Sequence, residues 1–554
     1  MSSQVAAALQ AQVHADMWAE YLKLRVDGHP FSMVGREYER DILRDEHPAM
    51  VIPKGAQMGL TTVFIVRSFH RVIKRKWHGL YLLPLKTGSK PFVQQRIDPV
   101  IDSNPEIKRR FKSVDNTMHK QTVHGVALYI RGTNIWSELR EIPVDFIVYD
   151  ERDVMVEKNL PEAEARMDGS LVKQTAELST PTVPGHGVDA EDAWGASDQH
   201  RWHVRCPHCS RFQNFTVDEN VVIGDTADDC FLRCMFCKKA ISDHDRALAN
   251  ATGHWDADNP GANKRGYHIN QLNSPTKPIA GEKSFMTNYF KGQRDGEKLR
   301  AWHNNNQGMP FVAAGDQFTP DLLDKCRMNG HTEGGIPAGP VYIGVDVGNF
   351  LHVKASYIKG GKRVLWQLKL LGQKGDKTHW AQLDEWLASL GSFTCVIDAV
   401  PEKTMAQELS KKYPGRVFVG FEEDRPAQAE MAVFSPVKRG EVAKVNIDRT
   451  AAFDHVIKTY MDGNVVLTAN ARELGEHMPR LNYNGFYHQM IQQVRAPEYD
   501  KSDRLIYRWK KNKKPDHWHH ADMFEMIATE KEPYVALSPQ QAELFERSGN
   551  VIAA

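Results

Sequence analysis

Lys54-Gly55-Ala56-Gln57-Met58-Gly59-Leu60-Thr61-Thr62 joins a short apolar run, Met50-Val51-Ile52-Pro53, to a segment with helical apolar spacing from Val63 to Ile73. A strand, a glycine-containing turn and a helix start make a place where backbone N–H groups and the helix dipole can meet phosphate oxygens. The usual phosphate-loop pattern is GxxxxGK[ST]. Aligned on Gly59 and Thr61, this chain has Leu60 in the lysine place and Lys54 in the place of the first glycine. An ammonium at the start of the loop can still reach the β and γ oxygens, and the Thr61 hydroxyl can hold Mg²⁺. The loop from Lys54 to Thr62 is therefore expected to bind nucleotide phosphates.

About 90 residues downstream, Phe146-Ile147-Val148-Tyr149-Asp150-Glu151 reads as an apolar strand ending in two carboxylates. Paired with the loop, Asp150 is expected to orient the Mg²⁺ shell, and Glu151 to polarise a water for hydrolysis. Leu178-Ser179-Thr180-Pro181-Thr182 adds a polar strand end able to sense a γ-phosphate. By itself it would be an ordinary turn.

Cys206-Pro207-His208-Cys209 and Cys234-Met235-Phe236-Cys237 are two CxxC turns with 24 residues between them. Four thiolates from two such turns make a closed tetrahedral Zn²⁺ site, hence a structural one. A redox role is disfavoured because no thioredoxin-like βαβ pattern surrounds them.

The C-terminal half carries another set of acids. Asp346 follows the apolar run Val341–Val345, Asp398 ends Phe393–Ile397, and Asp522 lies in His519-His520-Ala521-Asp522-Met523-Phe524-Glu525, which reads as a helix start. Three such carboxylates could converge on a pair of Mg²⁺ or Mn²⁺ ions and cleave a phosphodiester. Asp516, Asp503, Asp448 and Glu402 are rivals for the third position. Nearby, Lys501, Arg504, Arg508, Lys510, Lys511, Lys513 and Lys514 interleave with Tyr507 and Trp509, a pattern suited to a DNA backbone. Lys108-Arg109-Arg110-Phe111-Lys112 is a second basic stretch.

Positioning these groups requires an α/β framework. Apolar strands at 50–53, 79–83 and 143–149 alternate with helical patterns, which implies a doubly wound, mostly parallel sheet with ligands at the carboxyl ends of its strands. A Gly/Pro-rich stretch at 329–340 marks the expected domain boundary, and Val341 opens a second α/β pattern. The expected organisation is an N-terminal helix at 1–30, a first domain at 31–328 interrupted by the cysteine segment at about 202–245, a linker at 329–340, and a second domain at 341–554. The 554 residues are enough for several cores. With 71 Lys+Arg against 70 Asp+Glu the chain is not uniformly basic, and 41% hydrophobic with 25% charged residues is a globular composition. No apolar run approaches the roughly 18–20 residues that span a bilayer, and the N-terminus has no signal-peptide pattern.

In this order the displaced-lysine loop, Tyr149-Asp150-Glu151, Ser179-Thr180-Pro181, the four cysteines, Ile343-Gly344-Val345-Asp346 and Asp516-His517-Trp518-His519-His520-Ala521-Asp522 resemble the large terminase subunit of tailed double-stranded DNA phages, of the lambda-type branch. The resemblance implies a P-loop (ASCE-type) parallel-sheet ATPase domain with a zinc-ribbon-like insertion, followed by a ribonuclease H-like nuclease domain. It implies an ATP-driven motor that moves viral DNA into a procapsid, and a Mg²⁺- or Mn²⁺-dependent endonuclease that cuts concatemers. Lys54 through Thr62 and Asp150 would then bind ATP and its metal, Glu151 would be the catalytic carboxylate, and Asp346, Asp398 and Asp522 the nuclease acids. Expected partners are viral double-stranded DNA, a small terminase subunit, the portal of the procapsid and further copies of the chain in a ring. The expected location is the host cytoplasm, without membrane. The segment Gly35 to Arg40 offers Tyr38 for stacking on adenine but lacks the glutamine many such motors use. The competing expectations are a helicase-like DNA translocase without nuclease activity, and a non-enzymatic zinc-ribbon protein.

Overall fold

The computed structural model describes residues 9–26, 28–112, 118–140, 142–293, 295–372, 377–423, 430–437, 440–474, 485–500, 502–512 and 514–531. The chain divides into two compact units, Met1–Ala313 with Pro497–Ile506, and Ala314–Ala496 with Tyr507–Ala554. The division falls ahead of the Gly/Pro stretch at 329–340. Phe318 and Leu323 explain this, because both are buried in the core of the second unit.

The first unit is built on α1 (Tyr38–Arg44), β1 (Ala49–Pro53), α2 (Leu60–His70), β2 (Gly79–Leu83), β3 (Ala127–Gly132), β4 (Phe146–Asp150), β5 (Gln174–Ser179), β6 (His200–Arg205) and β7 (Arg265–His268). The strands lie in the order β6-β7-β1-β5-β4-β2-β3, with every adjacent pair parallel. β1, β2 and β4 are nearly buried throughout, as expected of strands covered on both faces. Antiparallel strands cap both edges: His119–Gln121 on β3, and Phe212–Asn214 and His254–Ala257 on β6. α2 starts earlier than its apolar spacing suggested, at Leu60, and continues into a π-helical turn at Arg71–Arg75. Leu60, in the lysine place of the loop, is buried in the core beneath it.

The second unit holds β8 (Val341–Val347), β9 (Leu351–Lys359), β10 (Lys362–Leu371), β11 (Phe393–Asp398), β12 (Val417–Glu423) and β13 (Lys444–Asp448) in the order β13-β12-β11-β8-β9-β10. β8, β9 and β10 form an antiparallel meander, whereas β8, β11, β12 and β13 run parallel. The last helix among the described residues, α3 (His517–Thr529), lies directly on β8. A Cβ at Gly344 would come within 2.0 Å of the Ala521 carbonyl and 2.2 Å of the Glu525 nitrogen, so only glycine permits this seat. No helix among the described residues is long and apolar enough to cross a membrane.

Candidate functional site

In the first unit, Gln57 and Gly59 take left-handed backbone angles (φ 58° and 83°), which turn the chain tightly from β1 into α2. The N–H groups of Lys54, Gly55 and Ala56 are already spent on the carbonyls of Ser179, Ile269 and Asn305. Among the described residues, the N–H groups from Gln57 to Thr62 have no acceptor. The anion cradle of this loop is therefore its second half, at the helix start. Lys54 is buried, and its ammonium lies 3.7 Å from the Glu151 carboxylate. Side-by-side parallel strands β1, β5 and β4 bring these two residues together, which no sequence distance of 97 positions would suggest.

Asp150 is buried at the end of β4. Its Oδ2 accepts a hydrogen bond from Tyr81 Oη at 2.7 Å, while its Oδ1 is buried without a hydrogen-bond partner among the described residues. Burial, the Asp150 charge and that hydrogen bond hold the Tyr81 phenol far above its ordinary pKa, so the tyrosine stays a donor. Glu151 has a left-handed backbone (φ 68°) that turns its side chain out of the strand. Loss of solvation raises its pKa even with 47% of the side chain open, and Lys54 opposes the rise while Asp150 adds to it. The Ser-Thr-Pro turn is wired to both neighbours. The Ser179 carbonyl accepts from the Lys54 N–H, and buried Asp153 accepts from the Thr182 N–H at 2.7 Å and from the Thr182 hydroxyl at 3.0 Å.

Tyr38 does not face a base. It is fully buried, donates to the Met58 carbonyl at 3.1 Å and packs edge-on against Trp202, so it supports the loop from beneath. Sequence reasoning also missed Arg96, whose guanidinium donates to Thr62 Oγ1 at 2.7 Å from a π-helical turn at Val93–Ile97. Nothing in the local pattern marks it.

The four cysteine sulfurs come together, all within 4.8 Å of one another. Cys206 and Cys237 Sγ are 3.9 Å apart, and Cys209 and Cys234 Sγ 3.8 Å. The N–H groups of His208 and Phe236 point at Cys206 and Cys234 Sγ, each at 3.4 Å. Burial would raise Cys234, but the backbone N–H groups of Cys237 and Phe236 bring it down to about 7, while burial pushes Cys206 up to about 12. This donor set fits a tetrahedral zinc.

In the second unit, Asp346 on β8 and Asp398 at the end of adjacent parallel β11 approach each other. Burial and the Asp346 charge raise Asp398 to about 7. Burial likewise raises Asp346, opposed by a hydrogen bond with His517 Nδ1 at 2.8 Å. Asp346, His352 and His517 offer ligand atoms within 4.8 Å of one another. Asp516 and Glu422 complete the carboxylate group through His520, which contacts them at 3.4 and 2.9 Å. Burial alone would raise Asp516, but His520 and Lys511 hold it well below the carboxylate range.

Asp522 does not join this group. Six residues beyond the helix N-cap Asp516, about 1.7 turns on, it points elsewhere and is fully buried in an ion cluster. Lys354 Nζ donates to it at 2.5 Å and Arg363 Nη1 at 3.1 Å, and both cations also contact Glu525. Of the rivals, Asp516 is the one whose charge acts on Asp346, as that of Glu422 acts on Asp398. Asp503, Asp448 and Glu402 serve elsewhere: Asp503 accepts from Asn134 Nδ2 at 3.0 Å, Asp448 caps the helix at Arg449–Met461, and Glu402 accepts from Trp380 Nε1.

Of the C-terminal basic run, Lys501 and Lys513 lie outside the described residues. Arg504 pairs with Asp500 at 2.8 Å and Lys511 with Asp516 at 2.8 Å, while Trp509 is buried and donates to Asp454. Lys108 and Arg109 are likewise paired, with Asp102 and Glu106.

Residues 28–255 match the family model described as phage terminase large subunit gpA, ATPase domain. The terminase large subunit of Escherichia phage lambda is 25% identical over 174 residues, covering 29% of this chain and 27% of that protein. The chain's match thus spans about a quarter of that relative's length. The crystal structure of the HK97 bacteriophage large terminase aligns with a TM-score of 0.48 and 11% identity, over 94% of this chain and 98% of that one. Over residues 28–255 the chain carries the ATPase domain of the phage terminase large subunit gpA family.

Proposed function

We propose that the chain is the large terminase subunit of a tailed phage, hydrolysing ATP in its first unit to move viral double-stranded DNA into a procapsid and cutting that DNA with metal in its second. The observation that carries the motor reading is Lys54 beside Glu151 and a buried, half-satisfied Asp150 at one end of the parallel sheet. The helix start from Gln57 to Thr62 binds the polyphosphate, and Lys54 neutralises its β and γ oxygens. Thr61 and the free oxygen of Asp150 would hold Mg²⁺, which screens phosphate charge when bound. Glu151 orients and accepts a proton from the attacking water. The tie from Ser179 to Lys54 couples the loop to the segment after Glu151.

In the second unit Asp346, Asp398 and Asp516 would hold Mg²⁺ or Mn²⁺, supplying charge stabilisation for phosphodiester cleavage. The crowding that raises Asp398 is relieved by a cation in their midst. Cys206, Cys209, Cys234 and Cys237 would hold a structural Zn²⁺. A small terminase subunit, the portal and a ring of further copies are the partners of such a motor in the host cytoplasm. Glu151→Gln is expected to abolish ATP turnover while leaving nucleotide binding, and Asp346→Ala to abolish metal-dependent cutting while leaving ATPase. Wild-type cutting by Asp346→Ala in a plasmid-nicking assay would select the non-cutting translocase reading instead.

A further inference from the structure

Four cations surround the cysteine knuckles of the first unit: Arg205, Arg211, Lys238 and Lys239, all exposed. None has a carboxylate partner among the described residues. This contrasts with their neighbours, since Arg201 pairs with Asp258 at 3.1 Å and Arg246 with Asp243 at 3.0 Å. The knuckles fix where these charges stand. The Cys206 N–H bonds the Arg211 carbonyl and the Cys234 N–H bonds the Lys239 carbonyl, so each loop is closed on itself. The converging sulfurs then lock the two loops together. Three acids of the same segment stand at the far end of a strand. Asp225, Asp228 and Asp229 precede the strand Phe231–Arg233 and the Cys234 knuckle follows it, a separation of about 10 Å along a three-residue strand.

Two aromatic rings stand among the cations. Phe236, at a knuckle tip, is 43% exposed and lies under the Arg211 guanidinium at 5.3 Å from its centroid, and Phe212 is 45% exposed. Adjacent unpaired lysines are disfavoured in a protein–protein interface, whereas a phosphate chain requires such point charges. The rigid knuckle spares the entropy of ordering a loop on contact.

We infer that the cysteine-knuckle tip of the first unit is a contact surface for the phosphodiester backbone of duplex DNA, carried by Arg211, Lys238 and Lys239. Backbone contacts of this kind hold register on the duplex without reading its sequence. The surface is made of residues other than those of the two carboxylate sites and of the basic run at 504–514. It rests on the reading that the chain works on DNA.

The test is fluorescence anisotropy of the full chain with a short random-sequence duplex across a NaCl series, without nucleotide. Arg211→Ala/Lys238→Ala/Lys239→Ala is expected to lower the slope of log K against log[salt] by about two to three and to weaken binding at low salt by roughly tenfold or more. Its thermal midpoint should match wild type, because all three side chains are exposed. Lys108→Ala/Arg109→Ala, which removes charges already neutralised by Asp102 and Glu106, should leave the slope unchanged. A triple variant with the wild-type slope would overturn the knuckle surface while leaving the DNA reading intact. An equal loss in the Lys108/Arg109 control would also overturn it, as an effect of net charge. A wild-type chain that binds no duplex would overturn both.

Discussion

At the residue scale, the departure at the loop changes where charge enters without changing what the phosphates meet. Leu60 completes the core beneath the turn, and Lys54 supplies the ammonium from the strand end, already positioned by Glu151. In the second unit two aspartates of one helix region serve opposite purposes. Asp516 pairs with His520 and its charge acts on Asp346 of β8, while Asp522 neutralises Lys354 and Arg363 inside the fold. Asp516→Asn is expected to abolish metal-dependent cutting in the plasmid assay with the fold intact. Asp522→Asn leaves two buried cations short of a partner and should lower the unfolding free energy by about 3–5 kcal/mol. Urea denaturation of the two variants checks this, and a larger loss in Asp516→Asn would exchange their roles.

At the element scale, α1 supports the phosphate loop from behind. Its Glu39 is buried, with Arg36 3.7 Å away, in the space that a Cβ on Gly59 would occupy. Burial, opposed by Arg36, raises Glu39 from 4.5 to about 8. Between these values the unfolded chain releases the proton while the folded chain keeps it. The folded state therefore loses stability as pH rises from about 4.5 to 8, by up to about 1 kcal/mol per pH unit for this group. Glu39→Gln should abolish that component. Its stability advantage over wild type is expected to grow between pH 5 and pH 8 and then level off. Urea midpoints measured at pH 5, 6.5 and 8 check this, and a constant gap would contradict it. The helix α3 shows a second constraint at this scale, because Gly344 is what lets it carry His517 and His520 onto the acids of the sheet.

At the scale of the whole molecule, the two units have separate cores and separate ligand groups. Calorimetry is expected to resolve two transitions. Mg–ATP should raise one of them and zinc chelation should lower that same one, because the loop and the cysteines both belong to the first unit. Lys54→Ala should remove the ATP response and leave the chelator response. An ATP-induced rise of both transitions in parallel would contradict this assignment.

The identity of each chemical group was legible in the sequence wherever the chemistry is local. A CxxC turn is closed by its own backbone, so Cys206, Cys209, Cys234 and Cys237 could be paired by spacing. The loop and the Asp150-Glu151 strand end could be recognised because a buried parallel strand must be apolar and must end in a turn. What only tertiary structure decided is which groups share a space. Asp516 and Asp522 are six residues apart on one segment, and helical rotation leaves one against Lys511 and His520 and the other against Lys354 and Arg363. Tyr38 reads as a ring offered for stacking on adenine, yet packing of α1 beneath the loop buries it. Arg96 reaches Thr62 through a π-helical turn that leaves no period in the sequence. Periodicity reports which side of an element is apolar, whereas convergence depends on strand order and helix seating, which arise from contacts distant along the chain.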